Sequence, residues 1–239
     1  MADQGPRRFP TSRRDFERVV PAEAGSQILL IGLGRFGSAL AQELVGLGFE
    51  VLGVDASERI VQDHAELLTE VVQADTTEVA ALRQLGAGDF PSAVVGIGTN
   101  LEASILTTSA LADLGVPNIW AKAVTEAHGR ILARVGADHV VFPEHDMGRR
   151  VAHMVSGRVL DWFQLEENFA MVETVVPREF EGKTLGESGL RDRFGLTVVC
   201  VKPKGEAFTY ATAETRLAEG DVLVVAGPPQ QAEKFAYMS

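Results

Sequence analysis

The sequence has little of several features that mark particular classes of protein. Among its 239 residues there is one cysteine, Cys200, so no disulfide forms within the chain and we expect a reducing compartment. No run of about 18 uncharged apolar residues is present, which argues against a membrane-spanning helix. The formal net charge of -11 argues against broad binding of nucleic acid, because a phosphate backbone requires a basic surface.

Arginine is concentrated at the start of the chain. Residues 1–26 mix arginine with acidic residues, proline and glycine, so we predict a mostly disordered N-terminal tail. No apolar segment follows, so a secretory signal is not expected. Five arginines could contact a partner or anionic lipid, although a solvated tail is the simpler interpretation: Arg7, Arg8, Arg13, Arg14 and Arg18.

Residues 27–145 alternate between short apolar runs and helical stretches. Six runs are almost continuously apolar, at 27–31, 50–54, 70–74, 93–97, 118–123 and 139–142. Five helical stretches lie between them, at 37–47, 57–67, 78–85, 101–114 and 126–135. This alternation is typical of βαβ units whose strands are covered on both faces. We therefore predict an α/β fold with a doubly wound parallel Rossmann-type sheet.

The rest of the chain has a different pattern. Residues 146–168 are predicted to be a crossover or linker helix, helical over 146–159, with an apolar stripe of Met147, Val151, Met154 and Val155. We expect this stripe to contact another subunit or domain; the alternative is the core of its own domain. Residues 169–239 are predicted to form a small α+β domain, with strands at 170–176, 197–202, 207–211 and 222–226 and helices at 184–193 and 230–236.

A glycine motif connects the first predicted strand to the first helix. Gly32, Gly34 and Gly37 have the spacing G-x-G-x-x-G, which is weak evidence alone but stands here between a strand and a helix. Gly32 permits the tight turn, Gly34 lets the backbone approach a pyrophosphate, and Gly37 lets the helix pack on the strand. The helix N-terminus then offers N–H groups and a partial positive charge to the phosphates.

Two acids follow at the ends of the next strands. Asp55 lies where a carboxylate binds the ribose hydroxyls, and it would repel the 2′-phosphate of NADP. Asp75 is expected near the adenine; a helix N-cap is the alternative role. Arg35, inside the glycine motif, is expected to point toward a terminal phosphoryl group, unless it is only solvated.

Four motifs together resemble the RCK (regulator of potassium conductance) domain, and most closely the cytosolic regulatory subunits of the Ktr and Trk potassium uptake systems. They are GLGRFG at 32–37, GTNLEAS at 98–104, NIWAKA at 118–123, and the stretch from GAD at 136–138 to PEHDMG at 143–148. Residues 169–239 resemble the C-terminal RCK domain of the same family. Only the first 26 residues fall outside the resemblance.

The resemblance implies a non-enzymatic cytoplasmic protein, peripheral to the inner face of the membrane. Eight subunits would form a ring, assembled from dimers, beneath a membrane potassium-translocating subunit. ATP and ADP would compete for the Rossmann site and favour different ring shapes, with ATP favouring the conducting state. Arg35 would sense the γ-phosphate, on the nucleotide of a neighbouring subunit, and Asp55 would bind the ribose.

The resemblance also assigns further site residues. Lys122 matches a lysine near the phosphates, and Glu144 matches a glutamate that holds a cation, for which Mg²⁺, Ca²⁺ and Na⁺ stay open. Glu144 capping the following helix is the alternative. We also assign four further residues to nucleotide binding: Phe36, Thr76, Gly98 and Asn100.

Other ligands and functions are less favoured. Cyclic di-AMP binding is not expected, because Gly189 and Pro203 stand where some C-terminal RCK domains have an asparagine and a histidine. An NAD-dependent oxidoreductase or an NAD(H)-sensing regulator is the main alternative, since Asp55 is compatible with NAD. A dehydrogenase needs an acid/base residue near the nicotinamide, however, and residues 169–239 have no histidine. A transcription factor would need a basic helix-turn-helix, which the sequence does not show.

Overall fold

The computed structural model describes residues 26–155 and 157–238. The predicted tail, apart from Ser26, therefore lies outside the described residues. The chain divides into two compact units, one ending at Pro143 and the other beginning at Glu144, and each is described by itself. Within the described residues, no helix is both long and apolar enough to cross a membrane.

The described part of the first unit alternates strands and helices. Its elements are β1 (Gln27–Ile31), α1 (Arg35–Gly46), β2 (Glu50–Asp55), α2 (Glu58–His64), β3 (Glu70–Gln73), α3 (Val79–Gln84), β4 (Ser92–Val95), α4 (Leu101–Asp113), β5 (Ile119–Lys122), α5 (Glu126–Arg134) and β6 (His139–Val141). The strands pair in parallel in the order β3-β2-β1-β4-β5-β6. This order confirms the predicted Rossmann-type fold.

The first unit has an apolar core on each face of its sheet, because successive side chains of a strand point to opposite sides. Leu29 and Ile31 join a cluster with Leu111 of α4 on one face. Leu30 packs with Ala41 of α1 on the other. Since the strands are parallel, their carboxyl ends meet at one edge, and the loops at that edge form the site described below.

The second unit is built around an antiparallel sheet. Its elements are α6, which begins at the end of the first unit (Pro143–Met154), β7 (Val159–Glu166), β8 (Phe169–Val175), α7 (Leu185–Ser188), α8 (Leu190–Phe194), β9 (Thr197–Lys202), β10 (Thr209–Tyr210), β11 (Val222–Gly227) and α9 (Pro229–Ala236). The strand order is β10-β9-β11-β8-β7. Phe180, Phe194 and Phe235 form an aromatic group in its core, with ring centroids 5.6–6.3 Å apart. The predicted small α+β domain is thus confirmed as a fold.

Two predictions of local structure were wrong. The helix predicted over 146–159 ends at Met154, and Gly157, with φ of +74°, lies in a left-handed conformation that does not continue a helix. Strand β7 follows, because Val159 and Trp162 are buried in the core of the second unit. The helix predicted over 184–193 is two short helices, separated by Gly189 with φ of +62°.

The apolar stripe of α6 is only partly packed within its own unit. Met154 packs against the core of the second unit, but the side chains of Met147 and Val151 are exposed. Arg150 fixes α6 to β7 through two hydrogen bonds to the Asp161 carboxylate, of 2.6 and 2.5 Å. That contact, more than any other, holds the pKa of Asp161 below its ordinary value. Contact of the exposed residues with another subunit therefore stays a prediction.

Candidate nucleotide-binding site

The glycine loop is a tight connection between β1 and α1. Gly32 has φ of +89°, which favours glycine, and its N–H donates to the Val54 carbonyl at 2.7 Å. A Cβ on Gly37 would lie 1.9 Å from the Gly32 carbonyl oxygen, so any larger residue there would displace the loop. These two glycines are therefore required by the protein's own packing.

Gly34 differs from these two glycines, because the space beside it is open. Apart from its chain neighbours, no heavy atom of the described residues would lie within 4 Å of a Cβ on Gly34. Gly34 is the N-cap of the 12-residue helix α1, whose N-terminus has no side-chain cap and no acidic residue in its first turn. The first N–H groups of α1 thus lack a side-chain partner and carry a partial positive charge. An open backbone at such a terminus fits a phosphate group.

Asp55 fixes the loop from the end of β2. Its Oδ2 accepts a hydrogen bond from the Leu33 N–H at 2.8 Å, and its Oδ1 accepts one from the Ser57 N–H at 2.9 Å. The side chain is half-buried. Each carboxylate oxygen has a second lone pair, so the same group has the capacity to accept ribose hydroxyls. The sequence predicted the ribose role and missed the structural bond to the loop.

Three of the predicted residues come together beside the first turn of α1. Lys122, at the end of β5, is buried, and its Nζ lies 5.6 Å from the centroid of the Phe36 ring. The same Nζ is 3.2 Å from the position that a Cβ on Gly98 would take. The absence of a side chain at Gly98 therefore makes room for the lysine. Asn100 caps α4, where its Oδ1 accepts from the Ala103 N–H at 3.1 Å.

Asp75 and Thr76 follow β3 and face different ways. Asp75 is exposed and accepts hydrogen bonds from the hydroxyl and N–H of Thr77, at 2.7 and 3.0 Å, which lower the pKa of its carboxyl group. The N-cap of α3 is Glu78, so the alternative role of Asp75 as a helix cap was wrong. Thr76 is buried, and its hydroxyl lies 2.8 Å from the hydroxyl of Thr107 on α4.

The remaining predicted residues are exposed. Arg35 is the first residue of α1, and its side chain is accessible to solvent. Glu144 lies in the first turn of α6, in the second unit. Within the described residues, no group of three or more His, Cys, Asp or Glu side chains could hold a metal ion.

A contact that the sequence did not reveal ties α1 to α2. The Nε2 atom of His64 lies 2.9 Å from the Ser38 hydroxyl oxygen, and its Nδ1 lies 2.7 Å from the Ile60 carbonyl. A carbonyl only accepts, so in the neutral tautomer that fits these two contacts Nδ1 carries the proton and Nε2 accepts from the Ser38 hydroxyl. Ser38 directly follows the glycine motif, but no sequence signal links it to a histidine 26 residues away.

Comparison with known proteins agrees with this architecture. The family model described as the TrkA-N domain matches residues 28–143, and the TrkA-C domain matches residues 170–237. Two Ktr system potassium uptake proteins of Bacillus subtilis (strain 168) are similar: protein C is 37% identical over 87% of this chain and 95% of its own, and protein A is 36% identical over the same shares.

Solved structures show the same fold. The GsuK RCK domain has a TM-score of 0.64 at 23% identity, over 92% of this chain and 48% of that one. The GsuK channel bound to NAD has a TM-score of 0.63 at 23% identity, over 91% of this chain and 40% of that one. This chain thus spans less than half of either chain. The matched domains and the Ktr relatives together show that the chain belongs to the RCK family of TrkA-N and TrkA-C domain proteins.

Proposed function

We propose that this protein is the cytosolic regulatory subunit of a potassium transporter and that it senses adenine nucleotide at the glycine loop. The single observation that carries the nucleotide role is the uncapped N-terminus of α1, with open space at Gly34 and the Asp55 carboxylate bonded to the loop. The transport role is supported by the Ktr relatives, which are potassium uptake proteins by name.

The proposed switch is the exchange of ATP for ADP, which breaks no bond in the protein. A ligand shifts a conformational equilibrium only by its difference in affinity for the two states. The nucleotides differ by one charged phosphoryl group, and the exposed Arg35 offers a guanidinium that pairs with phosphate in a bidentate manner. Each charge-assisted bond is worth about 1.5–3 kcal/mol, and repetition around a symmetric ring would increase the shift.

Other parts of the site have supporting roles in this proposal. Lys122 and Asn100 would contact the phosphates, and Asp75 and Thr76 would lie near the adenine. Glu144 would bind Mg²⁺, Ca²⁺ or Na⁺ together with phosphate oxygens, since a carboxylate beside phosphates is favourable only with a cation between them. The exposed stripe on α6 would join subunits into dimers and then an octameric ring at the cytoplasmic face of the membrane, docked on the potassium-translocating subunit.

The test is a calorimetric titration of ATP, ADP, NAD and NADH against the purified protein, with its mass in solution measured in parallel. We expect ATP and ADP to bind, and Arg35→Ala to weaken ATP more than ADP. Arg83→Ala, which removes an exposed arginine at the end of α3, is the matched control and should change neither. Equal losses for both nucleotides in Arg35→Ala would exclude the γ-phosphate role.

A second candidate is a regulator that senses NAD(H), or an NAD-dependent oxidoreductase. It is favoured by one observation, the GsuK channel structure of similar fold that is bound to NAD. Asp55 would serve the ribose of NAD equally well. Tighter binding of NAD or NADH than of ATP and ADP in the same titration would support this alternative, and reductase activity would support the enzyme.

A further inference from the structure

A buried histidine holds the turn between β5 and α5, next to the proposed nucleotide site. Thr125 is the N-cap of α5, and its hydroxyl accepts a hydrogen bond from the His128 N–H at 3.1 Å. In return the Nδ1 atom of His128 accepts from the N–H of Val124, the residue before the cap, at 3.4 Å. These bonds resemble the reciprocal pair of a capping box, with histidine in place of the usual glutamate or glutamine.

The second unit contains the ordinary form of this box. Thr184 caps α7, its hydroxyl accepts from the Glu187 N–H at 3.2 Å, and Glu187 Oε2 accepts from the Thr184 N–H at 2.8 Å. The bond to the Thr184 N–H, more than any other contact, lowers the pKa of the Glu187 carboxyl group, so this acceptor stays charged at neutral pH. An imidazole nitrogen accepts only while it carries no proton, so the box at α5 depends on the protonation of a histidine.

The geometry around His128 fits only its neutral form. The residue is 3% exposed, and within the described residues its Nε2 atom has no hydrogen-bond partner. A backbone N–H only donates, so in the neutral tautomer that fits this contact Nδ1 accepts from Val124 and Nε2 carries the proton. Burial lowers the pKa of His128 below its ordinary value, which keeps the ring neutral at neutral pH.

The neighbouring elements offer nothing that would stabilise a charged ring. Burial is the one cause that shifts the pKa of His128, so no carboxylate of the described residues opposes it. Lys122, at the end of β5, is itself a buried cation, and the titratable residue of β6 is His139, at the start of that strand. The buried polar residues of α4 carry hydroxyl groups: Ser104, Thr107 and Thr108. The charged side chains of α4 and α5 are exposed: Glu102, Asp113, Glu126, Arg130 and Arg134.

Protonation of His128 would therefore break the box. A ring with a proton on both nitrogens cannot accept from the Val124 N–H, so two donors would face each other. The charge would also be buried without a partner, which is costly in an apolar environment. Opening of the turn relieves both effects, because it frees the Val124 N–H and lets water reach the ring.

The turn that His128 holds packs against the predicted phosphate lysine. Val124 follows Lys122 by two residues, and a Cβ on Gly98 would lie 3.2 Å from Lys122 Nζ and 3.7 Å from Val124 Cγ1. Lys122, Val124 and Gly98 thus meet at the carboxyl edge of the sheet. A displacement of the Val124 backbone is passed to Lys122 through the chain and through this contact.

We propose that neutral His128 is a positioning residue, which holds the Val124 turn and with it Lys122 in the arrangement that binds phosphate, and that protonation of His128 releases this turn. The inference rests on the proposed nucleotide role of Lys122. The nucleotide-bound state then binds fewer protons than the free state. Affinity is therefore complete at neutral pH and falls as the pH drops through the lowered pKa of His128.

The test is a calorimetric titration of ADP at about pH 7.5 and at about pH 5.5, on either side of the ordinary titration of histidine. His128→Asn places the Asn Oδ1 where Nδ1 lies, so its acceptor does not titrate. Comparison with this variant at the same pH also cancels the protonation of ADP itself. The parent should match His128→Asn at the upper pH and bind about fivefold more weakly at the lower pH, the loss expected from one hydrogen bond. His128→Leu, which has no acceptor, should be about fivefold weaker than His128→Asn at both.

His139→Asn, at the start of β6 and so at the opposite edge of the sheet, is the matched control and should keep the pH dependence of the parent. The same pH dependence in the parent and in His128→Asn would overturn the proposal.

A measurement without nucleotide separates this proposal from the proposed function. If the parent binds no ADP at either pH, the proposed function is wrong, and hydrogen exchange of the Val124 amide still decides the role of His128. At the lower pH this amide should exchange about fivefold faster in the parent than in His128→Asn, because the bond to Nδ1 is lost. Equal exchange rates in the two proteins would overturn the proposal.

Discussion

Replacing Asp55 with asparagine tests the centre of the proposed site. The carboxylate accepts the Leu33 N–H at 2.8 Å and the Ser57 N–H at 2.9 Å, one on each oxygen. Asparagine keeps one acceptor and turns an amide donor toward the other N–H. One backbone donor then loses its partner, which costs about 1–3 kcal/mol when buried. Because Asp55 is half-exposed, we expect the lower end of this range in the stability of the first unit.

The same substitution should weaken nucleotide binding. A charge-assisted bond to the ribose is lost and the glycine loop is held less firmly, so affinity should fall by about 1–3 kcal/mol, or roughly 5- to 150-fold in Kd. ATP and ADP share the ribose, so both should lose the same factor. Arg35 and the phosphates are unchanged, and the ratio of the two Kd values should hold.

Isothermal titration calorimetry with ATP and ADP measures both quantities, and thermal unfolding without nucleotide measures the cost to the loop. Asp113→Asn, which changes an exposed acid at the end of α4, is the control and should match the parent. If the ATP/ADP preference inverts in Asp55→Asn while overall affinity is retained, Asp55 does not bind the ribose. Parent-like stability without nucleotide would mean that the backbone hydrogen bond lost in Asp55→Asn does not stabilise the first unit.

Three further predictions concern the second unit. Glu144→Gln should remove most of the gain in ATP affinity that Mg²⁺ gives, while the cation-free affinity holds or rises because a charge that repels phosphate is gone. Asp146→Asn, in the same turn of α6, is the control. A full response to Mg²⁺ in Glu144→Gln would leave Glu144 only a capping role. Val151→Asp should lower the mass of the oligomer measured by light scattering, whereas Ala152→Asp, at an exposed residue beside the stripe, should not. An unchanged mass in Val151→Asp would mean that the stripe does not form the subunit contact. The lowered pKa of Asp161 means that its bond to Arg150 stabilises the fold above the ordinary carboxyl range and is lost as pH falls through the lowered value. The free energy of unfolding, measured by circular dichroism, should therefore fall less steeply with decreasing pH in Asp161→Asn than in the parent. The same dependence on pH in both proteins would contradict this.

Much of the first unit could be predicted from the sequence because its signals are local. A strand covered on both faces is an almost continuous apolar run, and β1 is an example, with Ile28, Leu29, Leu30 and Ile31 all buried. The G-x-G-x-x-G spacing predicts a tight strand-to-helix connection that only glycine allows. The clash between a Cβ at Gly37 and the Gly32 carbonyl oxygen is the physical reason. Asp55 was predicted from its position at the end of β2.

The second unit was harder to predict because short elements carry weak periodicity. Strand β7 was predicted as part of a helix, since Val151 and Val155 continue a helical stripe up to the strand. What stops the helix is Gly157 in a left-handed conformation, together with burial of Val159 and Trp162 in a core supplied by later residues. Neither effect is visible in the residues of the stripe itself.

The sequence by itself determined the order of strands and helices in the first unit, the glycine loop, the acid at the end of β2 and the family. The tertiary structure decided which side chains meet: Asp55 with the Leu33 N–H, Thr76 with Thr107, and His64 with Ser38. The members of each pair are 22 to 31 residues apart in the chain. Such contacts depend on the order in which strands pair and on the faces that helices cover. The periodicity of one segment carries no information about a partner that only folding brings within hydrogen-bond distance.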